Sequence, residues 1–224
     1  MRGTITWQTA EDSPNRLPEL EIDPRHTALL IVDMQNYSDI AQSVLPQCQR
    51  LLDFFRANSL PVMHLRVGSL LPDAHDVHLM RRLNWLRRSQ EEAARSCAKG
   101  SFDYDIVAGL TPQRGELVVD KNSSGAFNST AIEHYLVALE VHSLVVCGEA
   151  TSRCVDNTAR SAADRGYNVM LVADACADHI PENHETTMHV FQRAFGAVKT
   201  TDQVLAELSG LLSPELALSM SQGQ

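Results

Sequence analysis

An aspartate, a lysine and a cysteine stand at or just beyond the ends of three apolar runs. Asp33 closes Thr27-Ala-Leu-Leu-Ile-Val, Lys121 follows Glu116-Leu-Val-Val119, and Cys154 follows Ser143-Leu-Val-Val-Cys147 after the short loop Gly148–Arg153. The intervals between them are wide, so only a fold brings them together. Cys154 opens the helix-forming stretch Cys-Val-Asp-Asn-Thr-Ala-Arg160. A helix start presents unpaired N–H groups and the positive dipole end, which stabilise a thiolate and can receive an oxyanion. The charge of Lys121 favours the thiolate further. Asp33, if desolvated near Lys121, has the chemistry to take the thiol proton and pass it to a leaving amine. Singly, each residue has an ordinary role: a small buried cysteine, a helix-capping aspartate, a solvated lysine. Their joint placement is what points to covalent catalysis.

The elements that must position them are legible as alternating patterns. The three runs above, with Pro61–Val67, Asn168–Ala173 and the weaker Ala197–Thr200, are continuously apolar rather than alternating. That reads as strands buried on both faces of a parallel sheet. Between them lie stretches of helical period at 43–56, 128–139, 152–165, 182–195 and 202–211. Gly166 is well suited to end the third of these. Strand–helix alternation of this kind predicts a doubly wound α/β domain, whose ligands bind outside the carboxyl ends of the strands. The expected organisation is an irregular arm at 1–26, one domain at 27–212 and a tail at 213–224. The stretch 68–115 is long for one crossover. A helix is expected near 76–97, carrying Arg81, Arg82, Arg87 and Arg88 on a solvated face, or as a lid over an anionic substrate or neighbouring subunit.

Composition narrows the class. The 224 residues carry 19 Lys+Arg against 28 Asp+Glu, a net charge of −9, with 44% apolar and 21% charged residues. That charge argues against a nucleic-acid binder, which needs a basic face. Apolar runs fall short of the roughly 20 residues of a membrane span, and residues 1–16 lack a signal-peptide core. Five cysteines cannot all pair within one chain. The expectation is a soluble cytoplasmic protein with reduced thiols.

Three segments carry a more specific signal. Ala28-Leu-Leu-Ile-Val-Asp-Met-Gln-Asn36, Glu116–Asn122 with Ala126–Thr130, and Cys147-Gly-Glu-Ala-Thr-Ser-Arg-Cys-Val-Asp-Asn-Thr-Ala159 resemble the isochorismatase-like hydrolase superfamily. Gly166–Asp178 continues the match, which covers about residues 24–210. The resemblance implies a three-layer α/β/α fold around a six-stranded parallel sheet and a catalytic triad of Asp33, Lys121 and Cys154. It implies a non-proline cis peptide between Ala150 and Thr151, with backbone N–H groups of Thr151 and Cys154 aimed at the substrate oxygen. Members of the superfamily that cleave the vinyl ether of isochorismate lack the cysteine. Those that keep it hydrolyse amides or ureides, as nicotinamidases, N-carbamoylsarcosine amidohydrolases and ureidoacrylate amidohydrolases do. Cys154 therefore implies hydrolysis of a small-molecule C–N bond through a thioester. A non-catalytic binding or assembly member of the same fold is the alternative, and vinyl-ether hydrolysis a less favoured one. The resemblance also implies a homodimer or homotetramer.

Nicotinamidases bind a metal after the second strand, near a Trp-His-Pro sequence. Here Asp73, His75 and His78 have ligand types and spacing, but that context is missing. We expect no metal and no cofactor. As substrate contacts, Asn36 and Tyr37 are expected to face the pocket and Phe127 to form an apolar wall. Arg153 can bind a substrate carboxylate, point outward or pair across subunits. His179 and His184 are expected at the surface, and Cys48 and Cys176 in the core. Cys97 and Cys147 give no stronger signal.

Overall fold

The computed structural model describes residues 22–78 and 98–212. The helix expected near 76–97, its four arginines and Cys97 fall largely or wholly outside them, as do most of the N-terminal arm and the tail. Six parallel strands are present: β1 (Thr27–Val32), β2 (Val62–Val67), β3 (Leu117–Lys121), β4 (Ser143–Glu149), β5 (Asn168–Ala177) and β6 (Ala197–Lys199). Their order across the sheet is β3-β2-β1-β4-β5-β6. Five α-helices accompany them among the described residues: α1 (Ala41–Ala57), α2 (Ile132–Ala138), α3 (Asp156–Ala163), α4 (Pro181–Ala194) and α5 (Thr201–Leu212).

The alternation of side chains along a strand divides the core into two layers. Leu29 and Ile31 of β1, Val145 and Cys147 of β4, and Met170 and Val172 of β5 pack with Leu51 and Phe55 of α1 and with Val204 and Leu208 of α5. Leu30 and Val32, Leu144 and Val146, and Val169 and Leu171 pack on the opposite face. There they meet Ile132 and Leu136 of α2, Ala159 and Ala162 of α3, and Phe191 of α4. This is a three-layer α/β/α domain, and it explains the continuous apolar runs: both faces of the central strands are covered.

The chain leaves β1 toward β2 on one side and later returns to place β4 on the other. The switch of direction therefore lies between β1 and β4, the place beyond the strand ends where open sheets of this kind bind ligands. Among the described residues no helix is long and apolar enough to cross a membrane.

Candidate active site

The switch point is where the polar residues of the site converge. Asp33 follows the last residue of β1 and has a φ of 52°, a left-handed conformation that aspartate tolerates better than most residues. Its N–H donates to Leu65 O at 3.1 Å, and its carbonyl accepts from Gln35 N–H at 2.8 Å. The side chain is buried. Lys121, the last residue of β3, is fully buried and reaches across the end of β2. Its Nζ donates to Asp33 Oδ2 at 2.7 Å and to Ser123 O at 3.1 Å. The other carboxylate oxygen, Asp33 Oδ1, is buried with no hydrogen-bond partner. The carboxylate thus keeps an acceptor for a proton or a donor from substrate.

On the other side of the switch point, β4 ends differently from the sequence expectation. A non-proline cis peptide joins Glu149 to Ala150, which corrects the expected Ala150–Thr151 bond. The physical reason is register. Strand β4 runs on to Glu149, and Thr151 already belongs to a helical turn, so the reversal falls one bond earlier. Residues Thr151–Val155 form a π-type turn in which the N–H of Val155 donates to Ala150 O at 3.3 Å. This turn leads directly into α3. Cys154 therefore lies in the first turn of a continuous helical segment rather than at its first residue, and it is 2% exposed. It packs in the same core layer as Val32, Val119 and Ala126, the neighbours of Asp33 and Lys121.

The turn is anchored from β5. Asp178 accepts from the N–H and the hydroxyl of Ser152 at 2.8 and 2.7 Å, filling the acceptor role that a helix start requires. Thr151 Oγ1 lies 2.9 Å from His184 Nδ1. His184 is half-buried rather than at the surface, and burial holds its pKa below the usual histidine range.

Glu149 is the site residue that sequence reasoning missed. Its signal was a carboxylate in the otherwise apolar continuation Cys147-Gly-Glu-Ala150. The side chain is 2% exposed, accepts a hydrogen bond from Ser38 Oγ at Oε2 (2.6 Å), and leaves Oε1 buried without a partner. Burial pushes its carboxyl up to about 8. Ser38 opposes the shift, and Asp33, Asp39 and Asp178 add to it.

The loop after Asp33 is stitched to the segment before β3. Gln35, fully buried, donates to Tyr104 O (2.8 Å) and Val67 O (3.2 Å) and accepts from Val67 N–H (2.7 Å). Asn36 and Tyr37 are half-buried; their N–H groups donate to Asp105 O and Asp103 O, and Asn36 Nδ2 donates to Phe102 O at 2.9 Å. Asn36 thus has part of its amide engaged by the protein. Phe127 follows the lysine loop. Its ring faces Tyr167 (6.2 Å) and lies under the Arg165 guanidinium (4.8 Å), residues that precede β5. It is partly buried and packs against the core layer that holds Cys154. Arg153 is exposed, and its charge helps hold the Asp178 carboxyl below its usual range against the opposing effect of burial.

Asp73 and His75 pair with each other at 2.7 Å on the surface. Among the described residues no group of three or more His, Cys, Asp or Glu side chains is placed to hold a metal. Cys48, Cys147 and Cys176 are all buried thiols.

A comparison with protein families matches residues 27–203 to the isochorismatase domain. The ureidoacrylate amidohydrolase RutB of Methylobacterium radiotolerans is 31% identical over 83% of this chain and 80% of that protein. The protein of the same name from Stutzerimonas stutzeri is 29% identical over 94% of this chain and 95% of its own length. Among solved structures, a cysteine hydrolase from Pseudomonas syringae pv. phaseolicola superposes with a TM-score of 0.76 at 25% identity, covering 85% of this chain and 95% of the other. The N-carbamoylsarcosine amidase of Thermoplasma acidophilum superposes with a TM-score of 0.65 at 26% identity, covering 79% and 96%.

Proposed function

The chain belongs to the isochorismatase family, and from that membership we propose that it is a cysteine amidohydrolase cleaving the C–N bond of a small amide, ureide or carbamoyl compound. The observation that carries this reading is the buried Asp33–Lys121 pair. It has one carboxylate oxygen unpartnered and stands at the same end of the sheet as Cys154.

Each residue then has a role. Asp33 takes the Cys154 proton, and the sulfur attacks the carbonyl carbon of the substrate. Positive charge on Lys121, in a site from which water is excluded, steadies the anionic partners more strongly than it would in bulk solvent. The oxyanion that develops is met by backbone N–H groups of the turn at Thr151 and Cys154. Asp33 returns its proton to the departing amine or ammonia as the C–N bond breaks, leaving an acyl- or carbamoyl-thioester. In the second half Asp33 accepts a proton from water and hydroxide adds to the thioester carbon; the C–S bond then breaks, Asp33 returns its proton to the Cys154 sulfur, and the carboxylic or carbamic acid is released.

Ureido compounds are the first substrates to test, because the curated relatives described above are named ureidoacrylate amidohydrolases. The same reading takes the protein as a cytoplasmic homodimer or homotetramer, with its core thiols reduced. Asn36, Tyr37, Phe127 and Arg153 are the candidates for substrate contact.

The test is ammonia or amine release across ureides, carbamoyl amino acids, nicotinamide and dicarboxylic monoamides. For the substrate that turns over, Cys154→Ala should lower kcat by more than about 10³-fold with an unchanged melting curve. Substantial turnover by the alanine variant would refute covalent catalysis. Failure of every C–N substrate would favour a binding role.

A further inference from the structure

Two buried carboxyl groups face the switch point, and the established pairings account for only one. Val32 and Gly148 are register partners on β1 and β4, so Asp33 and Glu149 occupy the next position on adjacent strands. Their exposures are 1% and 2%. Each has one oxygen hydrogen-bonded and one buried without a partner: Oδ1 of Asp33 and Oε1 of Glu149. Their environments differ in one respect. Asp33 receives the Lys121 ammonium, whereas Glu149 receives only the Ser38 hydroxyl. Among the described residues, the titratable groups that bear on Glu149 are Asp33 after β1, Asp39 before α1 and Asp178 after β5, all acidic. Two buried carboxylates cannot both be comfortably ionised where the described residues supply one cation.

We propose that Glu149 is a positioning residue for Asp33. It stands beside the Asp33–Lys121 pair as a neutral carboxylic acid, so that the single buried ammonium belongs to Asp33. Loss of its proton disables the site at alkaline pH. The proposal rests on the amidohydrolase reading for its link to turnover, while the protonation of Glu149 stands apart from it.

Ionised Glu149 places a second negative charge next to Asp33. It repels the Asp33 carboxylate and disturbs the arrangement in which Lys121 serves Asp33 alone. Neutral Glu149 does neither. Pairs of carboxyls driven apart in protonation by their surroundings are a recurrent way to keep one of them as the working base. The carboxyl value of about 8 sets where the change should fall.

The experiment is a pH profile of kcat/KM with the best ureide or amide substrate for the parent, Glu149→Gln and Ser38→Ala, with melting curves to confirm folding. The parent should lose activity about tenfold per pH unit above a midpoint of about 8. Glutamine is a permanent neutral isostere. It should keep activity within a few fold at neutral pH and move the alkaline limb upward by about one unit or more. Ser38→Ala removes the hydrogen bond that favours the ionised form, so it should move the limb upward while keeping it. A limb unchanged in Glu149→Gln overturns the proposal, as does a neutral-pH loss as large as that of Cys154→Ala. NMR of isotope-labelled glutamate carboxyls supplies a readout independent of turnover. One carboxyl titrating near pH 8 in the parent and absent from Glu149→Gln supports the proposal; its absence from the parent overturns it. A protein that shows this titration yet hydrolyses no C–N substrate would refute the amidohydrolase reading instead.

Discussion

Gly148 lies against Val32 so closely that a Cβ on the glycine would sit 2.1 Å from the Val32 carbonyl oxygen. Its φ is 117°, a region closed to other residues without strain. The contact is between register partners of β1 and β4, so it sets how nearly the two halves of the site approach. Gly148→Ala should therefore lower stability by about 1–3 kcal/mol and reduce kcat as well, since β4 must move away from Asp33. Urea unfolding and turnover measured together check this. A stable variant with parental kcat would show that the approach is not needed.

Lys121 and Asp33 form a fully buried ion pair with 0% and 1% side-chain exposure. Removing the cation alone strands a charge, which costs about 3–5 kcal/mol. Lys121→Met should show a loss of that order. Lys121→Met combined with Asp33→Asn should recover part of it, because no unpaired charge remains; asparagine also suits the left-handed backbone at that position. Both variants should be inactive. A double variant less stable than the single one would contradict the account.

Acid stability has an identifiable contributor. Glu116 opens the approach to β3 and is met by Arg56 through two hydrogen bonds of 2.7 and 2.9 Å, by Gln113 N–H and by His64 Nε2. Burial alone would raise its carboxyl, yet these partners bring it to about 2 from an ordinary 4.5. A carboxyl depressed on folding stabilises the protein above its unfolded value and loses that contribution as pH falls through its folded one. The parent should thus lose stability between about pH 4.5 and 2. Glu116→Gln should be less stable at neutral pH and flatter across that window. Parallel stability curves for the two proteins would exclude Glu116 as the cause.

Much of this architecture was written plainly in the residue pattern. Runs such as Ser143–Cys147 are apolar throughout because α1 and α5 cover one face of the sheet and α2, α3 and α4 the other. Asp33 and Lys121 could be placed at strand ends because each interrupts such a run. The pairing between them, and the orientation of everything around it, depended on register. A strand two residues longer than expected put Glu149 in the sheet, shifted the cis bond to its carbonyl side and left Thr151 inside a helical turn. The partners of Phe127 are hidden from the sequence for a similar reason. The cation and ring that meet it, of Arg165 and Tyr167, come from just beyond the end of α3. Contacts of that kind, between segments far apart in the chain, leave no local periodicity.

Gln35 ties the turn after β1 to the end of β2 and to Tyr104, while Asn36 and Tyr37 are bonded to the backbone of 103 and 105. The loops at 34–38 and 101–107 are consequently one mechanical part. Anyone seeking to retarget the enzyme by exchanging loops should transplant 34–38 and 101–107 as a single cassette, because either one grafted alone would arrive without the half that holds its shape.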